Sequence, residues 1–477
     1  MMPALWTEAE AQAATGGTPV GGTGWTANGI SFDTRTLEAG DLFVALQGEA
    51  ADGHAHVADA FAKGAAAALV ARADTGGGPL LVVPDTLAAF GALGRAARAR
   101  SSVRALAITG SVGKTGTKEA LARALAAQAP THAARASFNN HIGVPATLAR
   151  LPRDAIYGVF EVGMNHAGEI APLARMIRPH VAMVTTVEAV HTEAFADGIA
   201  GVAAAKAEIF AAGGPAAAVL PRDNEFFGFL SAQARAAGFD RILSFGEGAG
   251  AEARLLDWRA QGEGGRARVE LFGKTLDFAI GAPGIHWARN LTGALLAIAA
   301  LGADAEAAAA SFAGLAAPKG RGARHVVGLP GGGSFLLVDD SYNASPPSMR
   351  AAFAVLATAP VGPGGRRVAV LGDMRELGPQ AQAMHEGLAP AILQAGIARV
   401  HCCGPLMKTL YEALPAATRG HWAPDSAALE PRVAADVAPG DALVVKGSLG
   451  SKMGRIVEAL RAAGEARTQG RKAAGGR

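Results

Sequence analysis

The stretch Thr109-Gly110-Ser111-Val112-Gly113-Lys114-Thr115-Gly116 carries the residue types that bind phosphate. It follows an apolar run over residues 103–108 and precedes a helical pattern over 117–127. Glycines let successive backbone N–H groups turn toward an anion at a helix start. Lys114 adds a point charge, and the Thr115 hydroxyl suits Mg²⁺. Ile108 stands where the strict P-loop pattern has its first glycine, but the strand-to-helix setting points to nucleotide binding.

Further candidates follow other apolar runs. Glu161 closes the run 155–160, where a carboxylate can join Thr115 on a cation that takes few protein oxygens, or is simply a solvated loop residue. After the run 181–184 comes a polar loop with His191, either a second metal ligand or a structural histidine. In a helix expected over 198–210, Ile199, Val202, Lys206 and Ile209 share one face. Lys206 then sits on an apolar face: either its stem packs and its amine reaches water, or its pKa falls and it is open to modification by CO₂. Farther on, Asp339-Asp340-Ser341-Tyr342-Asn343 follows a run at 335–338, and Lys446-Gly447-Ser448 follows one at 441–445. Acidic residues there suit ribose hydroxyls or turn chemistry; the basic, glycine-spaced loop suits an anion.

The elements that must position these residues imply an α/β protein. A length of 477 residues allows about three domains. Residues 1–85 read as a small mixed α/β domain. Residues 86–317 alternate strands and helices as a central P-loop ATPase domain with a parallel sheet, carrying an antiparallel appendage over 239–280 and a helix over 290–301. Residues 318–464 form a Rossmann-like domain, and 465–477 a disordered basic tail. Gly331–Gly333 and Gly362–Gly365 read as hairpin or surface loops.

With 50% hydrophobic and 18% charged residues the composition is globular. The formal charge of +3 belongs to the tail, where Arg467, Arg471, Lys472 and Arg477 outweigh Glu465, so no nucleic-acid partner is expected. No apolar stretch matches a signal peptide or a membrane span, and adjacent Cys402 and Cys403 offer neither a disulfide framework nor metal spacing. A soluble cytoplasmic protein is expected.

Taken in order, these segments resemble the Mur ligases of peptidoglycan precursor synthesis over about residues 30–460. The resemblance rests on Asp33-Thr34-Arg35, residues 40–48, Asp52-Gly53-His54, the P-loop, Asn139-Asn140-His141-Ile142-Gly143-Val144-Pro145, residues 161–169, residues 206–210, residues 339–346, residues 372–378 and Lys446-Gly447-Ser448. The Asp-Ser-Tyr-Asn turn and the Asn-Asn-x-Ile-Gly-x-Pro run favour the type that adds D-alanyl-D-alanine to UDP-N-acetylmuramoyl-tripeptide. The Asp-Asn-Pro-Arg run of its tripeptide-forming relative is absent.

The resemblance implies an ATP-dependent ligase acting through an acyl phosphate, as a monomer, with two Mg²⁺ sites. It implies metal ligands at Thr115, Glu161, His191 and a carbamylated Lys206, and catalytic roles for Lys114, Lys206, His191 and Arg321. ATP would meet Gly110, Ser111, Val112, Gly113, Lys114, Thr115, Gly116, Asn290, Arg321, Asp340 and Asn343. The other substrates would meet Thr34, Arg35, Gly48, Asn139, Asn140, Lys446 and Ser448. Three positions depart from the family pattern: Pro221 and Trp287 replace asparagines and Leu449 replaces an arginine. Two rivals remain, a folylpolyglutamate synthase-like ligase of the same superfamily and a non-catalytic P-loop binding protein.

Overall fold

The computed structural model describes residues 4–48, 51–190 and 192–474; of Thr75 and of residues 465–474 only the backbone is described. Three large sheets in succession organise the chain, beside a two-stranded pair of Trp6–Thr7 with Thr26–Ala27. The first has five strands, ordered Thr18–Val20, Leu80–Val82, Ala67–Val70, Asp41–Val44 and Gly29–Ser31; all neighbours are parallel except the first pair. The helix Thr86–Ala99 follows, capped by Asp85, whose Oδ1 accepts from the N–H groups of Leu87 (2.8 Å) and Ala88 (3.0 Å). Phe90, Leu93 and Ala97 of this helix, spaced by three and four, share a core with Leu42, Leu69 and Leu81 of the sheet. Burying Phe90 or Leu93 is worth roughly 1.5–3 kcal/mol each.

The central sheet has nine strands. Its parallel part runs Arg241–Gly246, Ala217–Pro221, Val181–Val184, Arg104–Thr109, Tyr157–Glu161, Thr131–Ala133. The chain leaves Arg104–Thr109 toward one edge and later returns on its other side. Its carboxyl end is therefore a topological switch point, where ligands bind in open α/β sheets. The stretch expected as an appendage over 239–280 instead extends this sheet through the strands Ala253–Gln261, Gly264–Leu271 and Lys274–Ile280: Phe245 pairs with Ala253 in parallel, and antiparallel strands complete the edge. Their inward residues Leu255, Val269 and Phe278 join the central core against the helix Ile285–Ala300. That helix starts five residues earlier than the apolar pattern suggests, after Gly284.

The third sheet is ordered Ala323–Gly328, Ser334–Asp340, Ala442–Lys446, Arg367–Gly372, Arg399–Cys403, Arg419–Ala423, parallel except for the first pair. Gly331–Gly333 lies in the hairpin joining that pair, where Leu329 N–H donates to the Gly333 carbonyl. The final helix runs Gly454–Ala474 and so takes in residues 465–474. Their Ala, Arg, Glu, Gln and Lys content has high helix propensity and prolongs a turn already anchored by Ile456, Val457 and Leu460. No helix among the described residues is long and apolar enough to cross a membrane.

Candidate functional site

The P-loop helix Lys114–Ala126 begins at Gly113, whose φ of +86° disfavours any side chain. A Cβ at Gly113 would also lie 2.6 Å from Asn290 Nδ2, so the Asn290 amide rests directly on the loop. Lys114 Nζ donates to the Gly110 carbonyl at 2.5 Å, and burial lowers its pKa with Glu161 opposing the shift. Register pairing of Glu161 with Ile108 brings the neighbouring strand's carboxylate beside the loop. Thr115 Oγ1 donates to Glu161 Oε1 at 3.2 Å, and Asn139 Nδ2 donates to the same oxygen at 2.8 Å. Glu161 Oε2 is buried without a hydrogen-bond partner among the described residues. An orphaned carboxylate oxygen beside a threonine hydroxyl and a phosphate loop is the donor set that suits Mg²⁺.

Facing this corner is the third sheet. Asp340 and Lys446 are register partners on adjacent strands, and their side chains pair at 2.8 Å. Lys446 also donates to the Asn343 carbonyl at 2.9 Å. Burial raises the Asp340 pKa while Lys446 pulls it back. His286 lies within electrostatic reach of Lys446 and Arg289, and burial first, then those cations, lower its pKa to about 4; it is neutral at pH 7. Arg321 stacks on the Tyr342 ring at 4.4 Å and donates to Ser137 Oγ at 3.3 Å. Between the two faces lies a cleft of about 880 Å³.

Of the expected residues, Ser111, Val112, Gly113, Lys114, Thr115, Gly116, Asn139, Glu161, Asn290, Arg321, Asp340, Asn343 and Lys446 line that cleft. Gly110 lies behind it, against Thr185, whose hydroxyl donates to the Val112 carbonyl at 2.7 Å. Asn140 caps a helix start, its Oδ1 accepting from Gly143 N–H at 2.9 Å, and the Ser448 hydroxyl accepts from Arg375 N–H at 2.9 Å. Thr34, Arg35 and Gly48 lie on the first unit and do not line the cleft. Arg35 is exposed and pairs with Asp33 at 2.7 Å.

Lys206 is buried at 2% exposure in the helix Ile199–Ala207, with no ion pair or side-chain hydrogen bond among the described residues. Burial, reinforced by Lys114, drives its pKa well below the ordinary lysine range, so the amine is not a snorkelling one. His191 lies outside the described residues.

The sequence reading missed Ser137, Thr185, His286 and Tyr342 as cleft residues. Ser137 stands two positions before Asn139, and Thr185 directly follows a parallel strand; those placements were the available signals. At the departures, Pro221 ends its strand while Asn224 Nδ2 donates to the Val187 carbonyl at 2.9 Å and Asp223 accepts from Gly248 N–H at 2.9 Å. Trp287 fills the space above Gly116, and Leu449 is exposed.

Residues 26–98 match the Mur ligase family catalytic domain, 108–298 the Mur ligase middle domain, and 325–449 the Mur ligase glutamate ligase domain. The UDP-N-acetylmuramoyl-tripeptide--D-alanyl-D-alanine ligase of Escherichia coli (strain K12) is 36% identical over 91% of this chain and 94% of its own length. The protein of that name from Rickettsia prowazekii (strain Madrid E) is 33% identical over 90% of this chain and 94% of its own. A crystal structure of MurF from Acinetobacter baumannii superposes with a TM-score of 0.83 at 29% identity, covering 96% of this chain and 98% of that one. With its three domains matched in order and relatives of this identity spanning nine-tenths of its length, the chain belongs to the Mur ligase family.

Proposed function

We propose that the protein is the ATP-dependent ligase that joins D-alanyl-D-alanine to UDP-N-acetylmuramoyl-tripeptide, giving the UDP-muramoyl-pentapeptide of peptidoglycan synthesis. The observation that carries this reading is one cleft in which Lys114, Thr115 and Glu161 face Arg321, Asp340 and Lys446. A phosphate corner opposite a basic and acidic sheet edge suits a nucleotide held between two units, with its γ-phosphate toward the acceptor. The relatives at 33% and 36% identity bear the name of this activity over the full length of the match.

A carboxylate is a poor acyl donor. The terminal carboxylate of the tripeptide attacks the γ-phosphorus, a new P–O bond forms, the bridging P–O bond to ADP breaks, and an acyl phosphate results. The D-alanyl-D-alanine amine then attacks the acyl carbon; phosphate leaves, and the amine gives up a proton. The P-loop N–H groups and Lys114 hold the phosphates, and Arg321, braced on Tyr342, faces the charge that grows on the transferred group. Asp340 and Asn343 bind the nucleotide's ribose side, Asn290 its base side, and Lys446 an anionic group of the acceptor. Thr115 and Glu161 would hold one Mg²⁺, and Lys206 as a carbamate, with His191, a second; magnesium supplies charge neutralisation along the phosphates. A neutral Lys206 amine is the form that adds CO₂, releasing a proton, and its burial beside the Lys114 charge favours that neutral form.

The unit at residues 1–85 binds the uridine nucleotide through Thr34, Arg35 and Gly48, while Asn139, Asn140 and Ser448 border the peptide path. The enzyme works as a cytoplasmic monomer. Phosphate release from ATP, measured with UDP-N-acetylmuramoyl-tripeptide in the presence and absence of D-alanyl-D-alanine, tests the whole reading: release that needs both substrates supports it. Release with a pteroylglutamate instead would move the protein to the folylpolyglutamate synthase-like class, and no release with any acceptor would leave only nucleotide binding.

A further inference from the structure

Lys118 lies on the P-loop helix one turn beyond Lys114, and its side chain is 1% exposed. All of its hydrogen-bonding capacity is spent on one loop and one neighbour. Nζ donates to the carbonyls of Ala134 and Ala136, each at 2.8 Å, and pairs with Glu119 at 2.5 Å. The backbone at the second of those carbonyls is unusual: Ala136 has φ +45°, the left-handed region that costs a residue with a Cβ roughly 1–2 kcal/mol. A buried ammonium needs several oxygens to offset its lost hydration, and two carbonyls turned toward one cation supply the force that holds such a turn.

The next residue is Ser137. Its Oγ lies 3.5 Å from Thr115 Oγ1 on the P-loop and accepts from Arg321 Nη2 at 3.3 Å. Arg321 belongs to the segment that leads into the third sheet, and Ser137 is the hydrogen-bond partner of its guanidinium among the described residues. One face of that guanidinium is covered by Tyr342. A planar fork fixed at one tip and on one face keeps its other donors directed into the cleft. Arg321, Ser137, Thr115 and Glu161 thus form a continuous chain of polar contacts from one unit to the other, with steps of 3.3, 3.5 and 3.2 Å.

We propose that Ser137 is a positioning residue that registers Arg321 against the phosphate loop, and that Lys118 acts through it by holding the Ala134–Ala136 turn. This rests on the ligase reading for the reaction it serves, but the contact itself does not depend on which acceptor is used.

The test is made on the full-length enzyme. Ser137→Ala should lower kcat for phosphate release about tenfold, while the Kd for ATP stays within about twofold, because the phosphates keep their own loop contacts. Ser137→Thr, which retains the hydroxyl, should restore most of the loss. Lys118→Met should give the same kcat defect together with a larger fall in unfolding temperature, whereas Ser137→Ala should lower it only by the small, measurable amount that the lost hydrogen bond to Arg321 contributes. In thermal unfolding, Ser137→Ala combined with Arg321→Ala should shift the midpoint no more than Arg321→Ala alone, since either change removes the same contact. A Ser137→Ala enzyme with wild-type kcat, or midpoint shifts that simply add, would overturn the proposal. If the wild-type enzyme released no phosphate with the two ligase substrates, the functional reading would fall, and the unfolding cycle would still decide the Ser137–Arg321 contact.

Discussion

Thr115 Oγ1 donates to Glu161 Oε1 across 3.2 Å, while Glu161 Oε2 is buried and has no hydrogen-bond partner among the described residues. Thr115 lies in the first turn of the P-loop helix and Glu161 ends the neighbouring strand, and the parallel register of Glu161 with Ile108 fixes their approach. Leaving a carboxylate oxygen buried and unmatched costs roughly 1–3 kcal/mol or more for a charged group, which a cation would offset. Glu161→Gln should therefore lower phosphate release at least about a hundredfold. Mg²⁺ with ADP should raise the unfolding temperature of the wild type and not of the variant, because only a species that binds the ion gains from it. Equal Mg²⁺ shifts in both proteins would contradict the assignment.

Lys206 calls for a different experiment. Its amine is buried with no partner among the described residues, so Lys206→Ala should not lower the unfolding temperature by more than the packing of its stem explains. Activity should fall to a few per cent, about the loss expected for a misplaced phosphate group. Short carboxylic acids or bicarbonate should partly restore it by placing a carboxylate where the carbamate stood. Turnover unchanged in Lys206→Ala would rule out the carbamate.

These two sites differ in how far the sequence announces them. Thr115 and Glu161 are legible because one lies in the first turn of the helix that follows a parallel strand and the other ends the neighbouring strand, and strand ends share one edge whatever the details of packing. Ser137 was not legible: its role depends on Arg321, 184 positions later, and on a left-handed Ala136 that no residue type advertises. The antiparallel strands after Ala253 were visible as strands, but the parallel pairing of Phe245 with Ala253 that joins them to the central sheet is a tertiary event. Helix formation at 465–474 followed local propensity, which a glycine-and-arginine tail composition disguised.

Trp287, one of the departures from the family pattern, has a partner of its own. A Cβ on Gly116 would lie 2.8 Å from its Cη2, closer than side chains tolerate, and the indole is 6% exposed. The missing side chain on the P-loop helix and the oversized one on the facing helix are a matched pair. Gly116→Ala should destabilise by about 1–3 kcal/mol through overpacking, and Trp287→Asn by about 3–5 kcal/mol through the cavity it leaves. The double variant should be at least about 1 kcal/mol more stable than the two losses combined, because the new methyl group enters vacated space. Denaturant unfolding of the four proteins measures this, and additive losses would show that the two positions are independent.

Two histidines remote from the cleft set an acid limit on stability. His401 is fully buried, its Nε2 3.1 Å from Asp436 Oδ2 and its Nδ1 accepting from His421 N–H at 3.1 Å; burial lowers its pKa to about 4, against the partial opposition of Asp436. His132, donating from Nε2 to the Thr147 carbonyl at 2.7 Å, is likewise lowered by burial to about 4. In the unfolded chain both titrate near 6.5. Between pH 6.5 and 4 the unfolded state thus binds more protons than the folded one, and stability falls as pH falls through that window. At pH 5 the loss is on the order of 1–2 kcal/mol for each histidine. His401→Gln, which keeps a donor and an acceptor but does not titrate, should track the wild type at a constant offset from pH 8 to 7. Below pH 6.5 it should lose less stability per pH unit, the slope differing by about one proton near pH 5. Parallel curves down to pH 4.5 would mean that His401 is protonated in the folded protein and that the Asp436 pair outweighs burial.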